Sequence, residues 1–297
     1  MTAAAQVLPG LTWFDISDPA SSALDDLARR FSLHELQIED CRHRPQRVKT
    51  EDYPHYVFTV LKHLTRQKDR LVFDDFDVFL GPDFMVTVHQ GACPVLEKLR
   101  QWAQQAHSET RLDRLFYRMV DLIVDEYVAY LDEIAEDVTA VESEVLKRPE
   151  PPVLQRIFRL KRKLIDFRRI ASGMREVVNA IIRREDGFIG DDLDPYFRDV
   201  YDHIVRTVDL IETYRDLLTG SLDIYLSAVA NRTNEVMKIL TIWGTVALPL
   251  VIITGFFGMN LPLPWASSPH GTLFAVLLMA LSAAVVLLYF RRKGWFR

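Results

Sequence analysis

The chain has 297 residues, 49% of them hydrophobic and 26% charged, a mixture expected of one or two globular domains rather than of a chain apolar throughout. Its formal net charge is −5, and because Arg291, Arg292, Lys293 and Arg297 contribute +4, residues 1 to 290 carry −9. So acidic a body argues against nucleic acid as a partner and fits a cation.

Cys41 and Cys93 stand far apart, with no CxxC or Cys/His spacing, so neither a disulfide framework nor a structural zinc site is implied. The opening MTAAAQVLPGLTW lacks a basic n-region and an apolar h-region, and the soluble part is expected to stay in the cytoplasm.

In chain order, Leu11 to Ile16 reads as a strand, followed by the Asp15, Ser17, Asp18, Pro19 turn cluster and a helix over Ala23 to Phe31. A second short helix covers Leu33 to Cys41. Three β-like runs follow, Tyr56 to Leu64, Leu71 to Leu80 and Phe84 to His89, the last two joined by Gly81-Pro82-Asp83. Their spacing predicts an antiparallel meander with helices on its faces, an α+β domain over residues 1–110.

From Pro94 the pattern is helical. Leu112 to Leu146 is a long acidic amphipathic helix, and Val153 to Arg184 a basic one, separated by the Pro149, Pro151, Pro152 cluster, which predicts a turn. Opposite charges favour antiparallel pairing of the two across residues 111–190; a functional basic patch is the other reading. In GFIGDDLDPYF, Asp194 suits an N-cap and Pro195 the first helical position. Apolar residues from Phe197 to Val229 then recur at three-and-four spacing. If that helix continues into the apolar run beyond Ile239, it covers about 64 residues, or about 95 Å at 1.5 Å per residue. Asp202, Asp209, Asp216 and Asp223 form a seven-residue stripe along it, either a solvated face or a set of acids that concentrates cations about a shared axis.

Two uncharged runs, Ile239 to Asn260 and Gly271 to Phe290, are each about long enough to span a bilayer. Lys238 precedes the first and Arg291 to Lys293 follow the second, while the loop between them has no Lys or Arg. Both ends of this hairpin are therefore expected on the cytoplasmic side. No phosphate-binding loop and no nucleophile–base constellation is visible, so neither ATP hydrolysis nor an enzyme is expected. A passive cation path needs no ATP, because about 2.3 kcal/mol per charge per 100 mV is worth roughly 4.6 kcal/mol for a divalent ion.

TNEVMK, PLVIITGFFGMN and a second span ending in RRKGW together resemble the CorA family of divalent-cation channels, whose signature is Gly-Met-Asn after the first of two spans. WFDIS, LQIEDC, KRPEPP and PYFRDVYDH extend the similarity over most of the chain. The resemblance implies a funnel-shaped homopentamer: an α+β cytoplasmic domain, then long helices, then a two-helix transmembrane hairpin. The chain then divides into the α+β domain (1–110), the helix pair (111–190), a stalk continuing into the first span (195–259), an outer loop (260–270), a second span against lipid (271–290) and a basic cytoplasmic tail (291–297). It implies an inner-membrane Mg2+ channel that also takes Co2+ or Ni2+, with Gly258, Met259 and Asn260 as the selectivity filter. An Asn260 ring suits a hydrated ion, since Mg2+ sheds water reluctantly; Asn at that place also suits a helix C-cap.

Below it, helical spacing puts Asn234, Met237, Thr241, Gly244 or Thr245, Leu248, Val251 or Ile252, and Gly255 on one face, which the resemblance makes the pore side, with Leu248, Leu240 and Met237 as apolar constrictions or, alternatively, as bundle packing. Asp223 is the candidate inner mouth. Glu39, Asp40 and Asp199 match the family's regulatory Mg2+ carboxylates; Glu39 and Asp40 also read as the end of a short helix near Arg42 and Arg44. Leu248 and Val251 replace the Met and Thr common in relatives, and the loop LPLPWASSPHG lacks their acidic residue. That leaves zinc transport by the related ZntB branch, against which Met259 speaks, and a non-conducting membrane-anchored sensor or scaffold as alternatives.

Overall fold

The computed structural model describes residues 5–6, 12–67, 70–105, 111–184, 187–259 and 270–295. Asn260, the loop 261–269 with Trp265, and Arg297 lie outside the described residues. The chain divides into two compact units, Met1–Leu222 and Asp223–Arg297.

The first unit is built on a six-stranded sheet: β1 (Ala5–Gln6), β2 (Trp13–Ile16), β3 (Lys49–Tyr53), β4 (Tyr56–Gln67), β5 (Arg70–Leu80) and β6 (Met85–His89), in the order β1-β2-β6-β5-β4-β3. The meander expected from the sequence is present from β4 to β6 and extends to β3. The sheet is nevertheless mixed, because β2 lies parallel to β6, with Ile16 opposite Val88. A parallel neighbour needs a long crossover, here everything between β2 and β6. The indole of Trp13, fully buried, donates to Thr87 Oγ1 across that pair at 3.2 Å.

Helices α1 (Ser22–Phe31) and α2 (Glu35–Arg42) close a core over one sheet face, where Leu24, Leu27 and Ile38 meet Phe58, Phe79, Val86 and Val88. Ser21 caps α1, its hydroxyl accepting from the Ala23 amide. After α3 (Pro94–Gln105), the acidic α4 (Leu112–Lys147) and the basic α5 (Pro151–Ile182) follow as expected. Phe73 of β5 is enclosed by Tyr127 and Tyr130 of α4 and Phe167 of α5, with ring centroids 5.3 to 5.7 Å apart. Phe73 is half-buried, whereas Tyr127 and Phe167 are fully buried, and fully burying a Phe side chain contributes about 1.5–3 kcal/mol.

Two local readings are corrected. Pro151 and Pro152 do not form the turn; they start α5, where a missing N–H leaves no bond unmade. Asp194 is already helical, because a 3-10 turn, Asp191–Leu193, precedes α6 (Asp194–Phe257). The charge complementarity is also shared more widely than one helix pair. Arg156 binds Asp137 at 2.9 Å and Glu144 at 2.7 Å on α4, but Arg168 pairs with Glu212 of α6 and Lys161 donates to Thr219 of α6. The start of α6 is held by Phe197, buried against Phe116 and Tyr117 of α4.

The second unit holds the rest of α6 and helix α7 (Gly271–Arg292). Both helices are long and apolar enough to cross a membrane.

Candidate ion path and cation sites

Along the membrane part of α6 the side chains divide by face. Ile242, Val246, Pro249, Leu250, Ile253 and Phe257 are half-buried and form one stripe. On α7 the matching stripe is Ala275, Met279, Ser282, Ala283, Val286 and Phe290. Phe257 meets Phe274 with ring centroids 6.5 Å apart, which fixes the side of α6 that turns toward α7. At 3.6 residues per turn, Met237, Gly244, Leu248, Val251 and Gly255 lie on the opposite side, and Leu240, Thr241 and Asn234 border it. All eight are exposed. Leu248 is 62% exposed and Val251 64% exposed, so among the described residues nothing covers the apolar middle of this face.

The face is poor in free polar groups. The Thr241 hydroxyl donates to its own helix at Met237 O, 2.7 Å away. Pro249, inside α6, has no N–H to give the Thr245 carbonyl, so that carbonyl lacks its ordinary helical donor. At the outer end, Gly258 N donates to Thr254 O at 2.9 Å and Met259 N to Phe256 O at 3.4 Å, closing the helix into a turn. A Cβ on Gly258 would stand 2.9 Å from Thr254 O, too close for any other residue without a shift. By contrast a Cβ on Gly244 or Gly255 meets nothing within 4 Å.

The acidic stripe of α6, Asp202, Asp209, Asp216 and Asp223, is exposed along its length, and Asp216 lies 3.6 Å from Arg215. Asp199 is exposed on the first turns of α6. On α2, Glu39 is exposed beside His43, at 3.8 Å. Asp40 already has a counter-ion that the sequence reading missed: Lys49 Nζ of β3 lies 2.7 Å from Asp40 Oδ2 and 2.6 Å from Glu51 Oε1. Burial opposes the charge on Lys49, but the hydrogen bonds to Asp40 and Glu51 outweigh it and hold the ammonium above its ordinary range. Among the described residues no group of three or more His, Cys, Asp or Glu side chains gathers as a metal site within one chain. Glu39, Asp40 and Asp199 are thus not gathered with a third such side chain among the described residues.

A second set of charges, also missed, is buried in the sheet. Arg44 reaches Asp77 at 2.8 Å and the Asp75 carbonyl at 2.7 Å, while Lys62 pairs with Asp75. Desolvation raises the Asp77 carboxyl to about 6, against the pull of Arg44, and lowers Lys62 to about 8. His63 is fully buried with neither ring nitrogen hydrogen-bonded, and desolvation pushes it down to about 4. Arg44, Lys62, His63, Asp75 and Asp77 all belong to the sheet-bearing first unit.

The profile of the CorA-like Mg2+ transporter protein family matches residues 9–292. The chain belongs to this family. The cobalt/magnesium transport protein CorA of Thermotoga maritima is 34% identical over 291 residues, covering 96% of this chain and 83% of its own length. Among solved structures, the CorA magnesium transporter of Methanocaldococcus jannaschii superposes with a TM-score of 0.86 at 23% identity, covering 95% of this chain and 90% of that one. The ZntB cytoplasmic domain of Vibrio parahaemolyticus gives 0.64 at 12% identity, covering 74% and 88%. At these identities the superpositions speak for the fold: an α/β domain, long helices and a terminal helix able to cross a membrane. Family membership makes the chain a CorA-like divalent-cation transporter of the membrane.

Proposed function

We propose that the chain is a passive, Mg2+-gated channel for Mg2+, with Co2+ and Ni2+ as further cargo, acting as a homopentamer in the inner membrane. Both termini are cytoplasmic, the driving force is the inside-negative potential, and α7 faces lipid. The observation that carries the reading is the exposed face of α6 opposite α7: it is apolar at Leu248 and Val251, runs from Asn234 to Gly255, and leads toward Gly258 and Met259, which Asn260 follows in the sequence. Five copies of that face enclose a path, and its uncovered aliphatic side chains then meet one another rather than lipid.

In this reading the Asn260 ring selects the hydrated ion by hydrogen bonds, since Mg2+ keeps its water, and Leu248, Leu240 and Met237 close the path by dewetting. Asp223 lies at the inner mouth. Glu39 and Asp40 of one copy and Asp199 of the next share a cytoplasmic Mg2+, which neutralises acids that otherwise repel across the interface. Its loss lets the cytoplasmic domains separate and the path open. The Mg2+ assignment is supported by Met259 in the signature and by the name of the Thermotoga maritima relative.

The acid-free loop after Asn260 keeps zinc as the second reading. Proteoliposomes with an imposed inside-negative potential separate the readings by which ion enters. Entry of Mg2+, inhibited by Mg2+ on the cytoplasmic side, is the expected result. Entry of Zn2+ without Mg2+ favours the ZntB-like reading, and entry of no divalent ion favours the sensor or scaffold.

A further inference from the structure

We propose that the groove at the basic end of the membrane hairpin binds an anionic glycerophospholipid, its phosphate held by Lys238 and the Arg291–Lys293 turn and one acyl chain lying between α6 and α7. The groove has a volume of about 590 Å³ and is walled on α6 by Ile239, Ile242, Trp243 and Val246 and on α7 by Leu287. Its apolar wall on α6 runs from Ile239 to Val246, about 10 Å along a helix, which covers the head-group-proximal part of one leaflet of a hydrocarbon core about 30 Å thick. The occupant therefore needs an aliphatic chain and a head group at the basic end.

The far wall is made by Trp295, and the chain folds it there deliberately. Gly294 has a φ of 74°, a left-handed conformation that turns the backbone. The Trp295 amide then donates to Phe290 O at 3.0 Å, and the indole stacks on Phe290 with centroids 4.9 Å apart. The same turn carries Arg291, Arg292 and Lys293, all exposed. Among the described residues neither Lys238 nor any of these three makes an ion pair, so four cations stand uncompensated against Glu235 at the groove's rim. Charge complementarity thus selects an anionic head group, as expected for a basic recess between helices at the cytoplasmic surface, and tryptophans at this depth suit the same interface.

The test uses the full-length protein in phosphatidylcholine vesicles containing a low mole fraction of either dibrominated phosphatidylglycerol or dibrominated phosphatidylcholine. Bromine on the acyl chain quenches a nearby indole, and Trp243→Phe and Trp295→Phe identify the groove's share of the signal. The brominated anionic lipid is expected to quench these two indoles far more than its zwitterionic counterpart. Lys238→Gln is expected to reduce that preference by about fivefold, the effect of one cation near a membrane surface. Equal quenching by both lipids in the wild-type protein overturns the proposal. So does quenching by neither, which means that a second copy of the chain covers the groove. Because the readout is lipid contact and not ion flux, its failure leaves the transport reading standing.

Discussion

Replacing Lys49 by Met tests whether Asp40 serves a regulatory ion. The ammonium now sits 2.7 Å from Asp40 Oδ2. A hydrated Mg2+ on the same carboxylate would lie with its charge about 5 Å from Lys49, allowing for a metal–water distance of about 2 Å and a hydrogen bond from that water. Repulsion between +2 and +1 at about 5 Å is about 1.7 kcal/mol in water, and a Debye length of about 8 Å screens it to about 1 kcal/mol. Lys49→Met should therefore lower the internal Mg2+ concentration that half-inhibits uptake by about fivefold. The unscreened pair of Asp40 and Glu51 left behind acts in the same direction. The assay is uptake into proteoliposomes loaded with graded internal Mg2+. Stability should change little, because a partly exposed ion pair contributes only about 0–1 kcal/mol. A half-inhibitory concentration that is unchanged, or raised, removes Asp40 from the sensor.

Three further outcomes follow from the geometry. His63 has a folded-state value of about 4 against an ordinary 6.5, so its neutral form stabilises the fold fully above pH 6.5 and that contribution, up to about 3 kcal/mol, is lost as pH falls toward 4. Asp77 acts oppositely over part of this window, so the readout is the difference between wild type and His63→Leu in denaturant unfolding; parallel pH profiles refute the buried neutral imidazole. Gly258→Ala places a Cβ 2.9 Å from Thr254 O and, at about 1–3 kcal/mol of overpacking, should shift the turn before Asn260 and reduce uptake at least severalfold with expression unchanged. Wild-type flux in that variant means that the turn tolerates a side chain. Leu248→Asn should hydrate the constriction and raise uptake at inhibitory internal Mg2+, whereas an unaltered block locates the closed point elsewhere.

Much of this architecture was legible because helical periodicity is local. The exposed face of α6 opposite α7 follows from helical spacing, and the charge patterns of α4 and α5 foretold neighbours, although Arg168 went to α6. Strand β3 was missed because Lys49, Thr50, Glu51 and Asp52 show no apolar alternation; at the sheet edge it needs none. The parallel pairing of β2 with β6 rests on contacts more than 70 residues apart, which no local pattern encodes. A signal for the buried charges was present in FDDFDVF, where acids inside an apolar strand demand cations, met by Lys62 and Arg44. Lys49 could not be assigned to Asp40 before the strand carrying it was known.

The central claim is that a divalent ion moves passively along α6 and is selected at Asn260. Uptake of Mg2+ into proteoliposomes at a series of imposed potentials tests it most directly, compared between wild type and Asn260→Ala. The account predicts uptake that grows as the interior becomes more negative, toward an equilibrium accumulation of over a thousandfold at about 100 mV, and that disappears in Asn260→Ala. Divalent uptake indifferent to potential, or undiminished by Asn260→Ala, would contradict it.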